Sequence, residues 1–141
     1  MAISEYGPNI DISMFPAGEA MAASDGDDSD YINRVVCLNS SGEVVYPTAI
    51  TDIPVGVLIE GGADGEYVTF RAFGVVPVKV NAIVALPSKI SITSDGGTID
   101  GRVGTSVATC HIVGQLLEAS DAEDDIVSAI INCISPAILA A

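Results

Sequence analysis

The chain has 141 residues, enough for one domain with a sizeable core, and 49% of them are hydrophobic, which argues against a disordered chain. Five basic against nineteen acidic residues give a formal charge of −14, which argues against direct contact with DNA or RNA and against a role on anionic membranes. No run reaches the about 18 apolar residues of a membrane span, and with no Trp and 5% aromatics the core has to be built from Val, Ile, Leu and Ala.

Residues 1–33 differ from the rest. Pro8, Pro16, Gly7 and Gly18 punctuate them, and the acidic run SDGDDSDY follows. Two readings fit: an extended arm with a solvated loop, holding one short strand around Ile10–Phe15, or an irregular first strand of the domain itself. The segment carries Ile3, Tyr6, Ile10, Ile12, Met14 and Phe15, more apolar side chains than a solvated tail uses. These six are the expected contacts with a partner surface or a neighbouring subunit, because burial there can offset the cost of ordering the segment. MAISEYGPNIDISMFP has neither the basic nor the apolar region of a secretory signal.

From residue 34 to 141 the signals are those of a single β domain. RVVCLNSSGEVVYP is a hairpin pattern around Ser40-Ser41-Gly42. IPVGVLIEGGADGEYVTFRAFGVVPVKV is two Val-rich runs around the turn GGADGE, with a bulge, bend or edge at Gly74 and Pro77. KISITSDGGTIDGRV is a second hairpin pattern, turning at Asp95-Gly96-Gly97. DDIVSAIINCISPAIL has an ambiguous period; its β-branched residues favour a strand buried on both faces.

The chain repeats itself. VVCLNSSGEVVY (35–46) aligns with KISITSDGGTID (89–100) at an offset of 54, and VGVLIEGGADGEYVTF aligns with VGQLLEASDAEDDIVS at 58. This alignment sets Ile126 on Val68 and puts four extra residues between the second hairpin and its Val-Gly strand. Two copies of one unit, 35–72 and 89–130, predict a β-sandwich or small β-barrel of two similar hairpin-plus-strand units, with an extended N-terminal arm.

Candidate chemistry is sparse. His111 is the only histidine, and Cys110 beside it points to the opposite face of a strand. Cys37, Cys110 and Cys133 lack CxxC spacing and read as small buried residues in a reducing compartment. DGDDSD (25–30) fails the EF-hand pattern, with Asp30 at the glycine position and Val36 at the twelfth. Glu60 and Glu118 occupy equivalent places in the two copies, which is a structural reason for both. The expectation is a non-enzyme with no catalytic residue, metal or cofactor. An acidic hydrolytic site is the enzymatic alternative.

Laid out this way, the chain resembles the capsid cement, or head decoration, proteins of tailed bacteriophages over residues 35–135. Gly56, the Gly65-Glu66 turn, Gly74 and Ala82 match that family's first block, Asp95-Gly96 its middle turn, and Gly114 with Glu118 its second block. LPSKI stands where the family often has Gly-Asp, and the second acidic turn lacks a glycine. The resemblance implies a structural virion protein, made in the host cytoplasm, that coats the outer capsid surface. It would bind the major capsid protein, bridge neighbouring capsomers and self-associate, as a homotrimer first and a dimer second. The alternative is a carbohydrate- or receptor-binding β module of a tail fibre or adhesin, for which four Tyr and three Phe give a poor aromatic platform.

Overall fold

The computed structural model describes residues 8–139. They form nine strands: β1 (Ile10–Pro16), β2 (Val35–Leu38), β3 (Val44–Val45), β4 (Gly56–Glu60), β5 (Tyr67–Lys79), β6 (Lys89–Ile92), β7 (Val103–Thr105), β8 (Gly114–Leu116) and β9 (Ile126–Asn132). No helix occurs among the described residues, so the fold is all-β, and every strand–strand pairing is antiparallel. The sheet order is β3-β2-β4-β5-β9-β8-β6-β7, with β1 on β5.

The pairing registers carry the duplication residue by residue. Val35 and Val36 lie opposite Val57 and Gly56, while Lys89 and Ile90 lie opposite Gln115 and Gly114. These are the offsets of 54 and 58 read from the sequence. The duplication also extends further than that reading. Pro16 and Phe15 of β1 lie opposite Tyr67 and Val68, and Lys79 and Val78 lie opposite Ile126 and Val127 in the same pattern. The first half of β5 therefore closes unit one, and its second half opens unit two. Each unit returns on itself through a parallel bridge, Ala17 with Val44 in one and Val80 with Val103 in the other, which gives two small barrels sharing one long strand.

Two cores follow. Val36, Leu58, Val68, Phe70, Ala17 and Met21 fill the first. Their counterparts Ile90, Leu116, Val127, Ala129, Val80 and Val84 fill the second. Phe15 stacks on Phe70 at 6.3 Å in the first core, where the second has Val78 and Ala129. Within residues 8–33, β1 and the turn after it thus place Ala17 and Met21 in a core at 0% exposure.

Three details of the alignment are corrected. The return strand of the second hairpin is β7, not Thr98–Asp100: Ser91 and Ile92 lie opposite Gly104 and Val103, as Cys37 and Leu38 lie opposite Val45 and Val44. The extra residues sit inside that hairpin, not after it. Leu58 faces Phe70 and Leu116 faces Ala129, so Ile126 corresponds to Tyr67 and Val127 to Val68. β9 is buried on alternate residues, with Val127, Ala129 and Ile131 inside, and not on both faces.

Gly56 and Gly114 explain why the Val-Gly pair recurs. A Cβ on Gly56 would lie 2.5 Å from the Arg71 carbonyl oxygen, and one on Gly114 would strike the Ile130 carbonyl oxygen and lie 2.8 Å from the Ile131 Cα. Arg71 and Ile130 occupy equivalent places on the return strands. Gly56→Ala and Gly114→Ala should each cost about 1–3 kcal/mol by overpacking against backbone that cannot yield. Urea unfolding measures this, and unchanged midpoints in both variants would contradict it.

Candidate functional site

The extra residues of the second hairpin form a clasp between the units. Gly101, at φ 87°, lies against Val35, and the Val35 N–H donates to the Gly101 carbonyl at 2.8 Å. Arg34 of unit one meets Asp100 of the clasp at 2.9 Å. Ile99 packs on the core that includes Val35 and Val57. The outer face of unit one is thereby covered by unit two, and Val35 and Val57 are 0% exposed.

Arg102 anchors the clasp. It is 7% exposed and donates to Asp100 (3.0 and 3.1 Å), Asp124 (3.0 Å), Glu123 (3.1 Å) and Asp95 (3.3 Å). Burial works to raise the Asp100 carboxyl, but hydrogen bonds from Arg102 and the charges of Arg34 and Arg102 outweigh it and hold that group below its ordinary value. Burial opposes the Arg102 charge as well, and the surrounding carboxylates overcome it. A hydrogen bond with Asp95 is the main cause that raises the Glu123 carboxyl.

The second acidic turn depends on this network. Gly65 (φ 88°) and Asp124 (φ 67°) occupy equivalent positions. Ala63 N–H donates to Glu66 Oε1 at 2.7 Å, and Ala122 N–H donates to Asp125 Oδ2 at 3.0 Å. Aspartate tolerates the left-handed conformation better than most residues, and here its carboxylate reaches Arg102. The turn has the geometry of the first without its glycine.

Charge is distributed unevenly. Arg34, Arg71, Lys79 and Arg102 are all held by carboxylates, Arg71 bidentately by Asp11 at 2.7 and 3.2 Å. Among the described residues, Lys89 is the one basic side chain outside an ion pair. In the 25–30 loop the acidic groups turn the backbone: Asp25 accepts from Asp27 N–H, Asp27 from Ser29 N–H, and Asp28 from Ala23 N–H. Hydrogen bonding from Ser29 holds the Asp27 carboxyl down. No three His, Cys, Asp or Glu side chains converge to hold a metal ion among the described residues.

The expected contact residues divide into groups. Ile3 and Tyr6 lie outside the described residues. Ile10 and Met14 point outward, 43% and 72% exposed. Ile12 and Phe15 pack partly onto the first core, which leaves Ile10 and Met14 as the exposed apolar positions of β1. Cys110 is fully buried, and half-buried His111 bridges to Ile138. Burial pushes the Cys37 thiol up to about 12, helped by the Asp52 charge and by Cys133, and burial alone does the same for Cys133.

Two grooves went unread in the sequence, because each is assembled from distant segments. One, of about 570 Å³, is lined by Glu19, Leu38, Tyr46, Asp52 and Ile53 among others. Its carboxylates are engaged, Glu19 by Tyr46 N–H and Asp52 by Thr48 and Ala49 N–H. The other, of about 490 Å³, is mostly apolar, with Phe73, Ile112, Ile130 and Ala137 beside Lys89 and Gln115.

No protein-family model matches the chain. No curated protein matches it either. Among solved structures it is similar to the N base of the head fibre gp8.5 of bacteriophage phi29, with a TM-score of 0.61 and 14% identity, covering 89% of this chain and 96% of that one. At this identity the likeness is one of fold.

The clasp predicts an acid dependence. A carboxyl held below its ordinary value stabilises fully above that value, and the contribution disappears as pH falls through the folded-state value. Arg102→Leu should therefore lower stability by about 1–2 kcal/mol at neutral pH, discounted because the partner carboxylates are partly solvated. The gap from wild type should narrow below the ordinary carboxylate range. Thermal unfolding at several pH values tests this; a gap independent of pH would contradict it.

Proposed function

We propose that this chain is a structural protein of a tailed-phage virion, seated on the outer surface of an icosahedral head, where it binds the major capsid protein and bridges neighbouring capsomers. The fold it shares with the N base of a phage head fibre, over 89% of this chain and 96% of the other, is the observation that carries the reading. The sequence resemblance to head decoration proteins points the same way.

The physical chemistry is compatible with such a role. Each copy bound to several subunits adds modest contacts through effective concentration, so no single contact has to be strong. A surface of −14, with four of five cations already paired, does not compete for packaged DNA. Such a surface is suited to a basic region of the shell. The exposed Ile10 and Met14 of β1 supply apolar contact area. The chain acts by binding and not by catalysis, without a cofactor.

The test is rebinding to undecorated heads. Because Ala17 and Met21 are core residues, removing residues 1–33 would damage unit one; point changes at exposed positions are cleaner. Wild-type protein should bind at a fixed number of copies per head and raise the temperature of head rupture. Ile10→Asp with Met14→Asp should keep the unfolding midpoint and reduce bound copies several-fold. Absence of wild-type binding would refute head attachment; equal occupancy by the variant would refute the part of Ile10 and Met14 in it.

A further inference from the structure

Four Asp-Gly pairs occur in the chain: Asp25-Gly26, Asp64-Gly65, Asp95-Gly96 and Asp100-Gly101. Such a pair can react with itself, because the glycine nitrogen reaches the aspartate side-chain carboxyl carbon and no Cβ on the glycine hinders the approach. The attack needs a glycine N–H without an acceptor, a carboxyl that is not clamped and a backbone with room to turn. Three of the pairs lack at least one of these. Gly26 N–H donates to the Ala23 carbonyl at 3.2 Å, and Gly65 N–H to the Ala17 carbonyl at 2.8 Å. The Asp100 carboxylate is clamped by Arg34, by the Arg102 side chain and by the Arg102 N–H. Gly101 is also packed so closely on the Val35 backbone that it has no room to turn.

Asp95-Gly96 meets all three conditions. Gly96 and Gly97, at φ 57° and 92°, are the central residues of a two-residue turn closed by two hydrogen bonds of 2.9 Å between Asp95 and Thr98. Those bonds use the Asp95 and Thr98 N–H groups, and Gly97 N–H donates to Ser94 Oγ at 3.1 Å. The Gly96 N–H has no acceptor among the described residues. Nothing lies within 4 Å of a Cβ placed on either glycine, so the turn has room to move. The Asp95 side chain is 40% exposed and meets one cation, Arg102, at 3.3 Å. Its other neighbour is the Glu123 carboxyl, with which it shares a hydrogen bond and hence a proton. The protonated carboxyl is the form that can lose water.

We propose that Asp95 is a site of spontaneous modification, at which the side chain cyclises onto the Gly96 nitrogen and reopens as isoaspartate, loosening the clasp. The nitrogen bonds to the side-chain carboxyl carbon, one carbon–oxygen bond there breaks, and water leaves with the amide proton. A second water opens the ring at the main-chain carbonyl. The chain then runs on through the former side-chain carbon, and the former main-chain carbonyl becomes a free carboxylate. The water lost is regained, so the mass is unchanged and no other reactant is needed. The turn gains one backbone carbon. The carbonyl that accepts from Thr98 and the carboxylate that meets Arg102 are both lost from their places. This inference stands apart from head attachment, and its test contains no heads.

The experiment ages the full folded chain at neutral pH and maps the four Asp-Gly pairs by digestion and mass spectrometry, with electron-transfer fragmentation to tell isoaspartate from aspartate. A parallel sample is aged unfolded in urea. Asp95→Glu, whose ring would be one atom larger and closes far more slowly, is the control. In the folded chain isoaspartate should accumulate at Asp95 several-fold faster than at the other three pairs, and in urea the four rates should converge. The isoaspartate-bearing fraction, separated by ion exchange, should unfold at a lower denaturant midpoint than fresh protein, while aged Asp95→Glu keeps its fresh midpoint. Equal rates at the four pairs in the folded chain, or faster reaction at another pair, would overturn the site. The same ranking in urea would overturn its selection by the fold. An unchanged midpoint in the isoaspartate fraction would overturn its effect on the clasp.

Discussion

The architecture depends on how closely two backbones approach at one point in each unit. The Val-Gly strand lies against its return strand so tightly that a carbonyl oxygen, of Arg71 in one unit and Ile130 in the other, occupies the space of a side chain. Only glycine fits, and backbone cannot move aside as a flexible side chain would. The close contact fixes the register of the pairing. That register decides which of the alternating residues face each core, because a slip of one residue would turn every side chain to the other face. Leu58 with Phe70, and Leu116 with Ala129, lie opposite each other next to the glycines and fill the cores directly.

The sharing of β5 turns two marginal units into one body. A barrel of four or five short strands buries little surface alone. Here the thirteen-residue strand is the last of one unit and the first of the next, and the clasp adds a buried hydrogen-bonded contact between them. The charge arrangement follows from this economy. The few cations are placed where they join segments far apart in sequence, Arg34 to Asp100, Arg71 to Asp11 and Arg102 to the turn at Asp124. Apart from Lys89, the charge left over is that of carboxylates. A protein built in this way is electrostatically suited to basic partners and has little means of attracting acidic ones.

Much of the fold was legible because duplication supplies its own alignment. The offset between Gly56 and Gly114 identified β4 and β8, and the equivalence of the runs after them identified Ile126–Asn132 as a strand where the hydrophobic period was ambiguous. What was missed has particular physical causes. β1 has bulges that break its alternation, so its kinship with the second half of β5 carries no sequence signal. The clasp is an insertion, and an insertion has no counterpart to align with. Asp124 replaces glycine at a left-handed position because its carboxylate serves Arg102, which lies 22 positions away in sequence. The exposed apolar positions of β1 were partly legible, since Ile10 and Met14 stand out in sequence as apolar residues of that segment. Their separation from Ile12 and Phe15 needed the bulged register.

If the chain is a head-bound structural protein, its copy number in a particle is set by lattice geometry and not by expression. Protein-resolved quantitative mass spectrometry of purified, salt-washed virions measures that number directly. The account predicts a reproducible ratio of this chain to the major capsid protein that matches a set of equivalent lattice positions. Absence from washed particles, or a ratio that drifts with preparation, would contradict it.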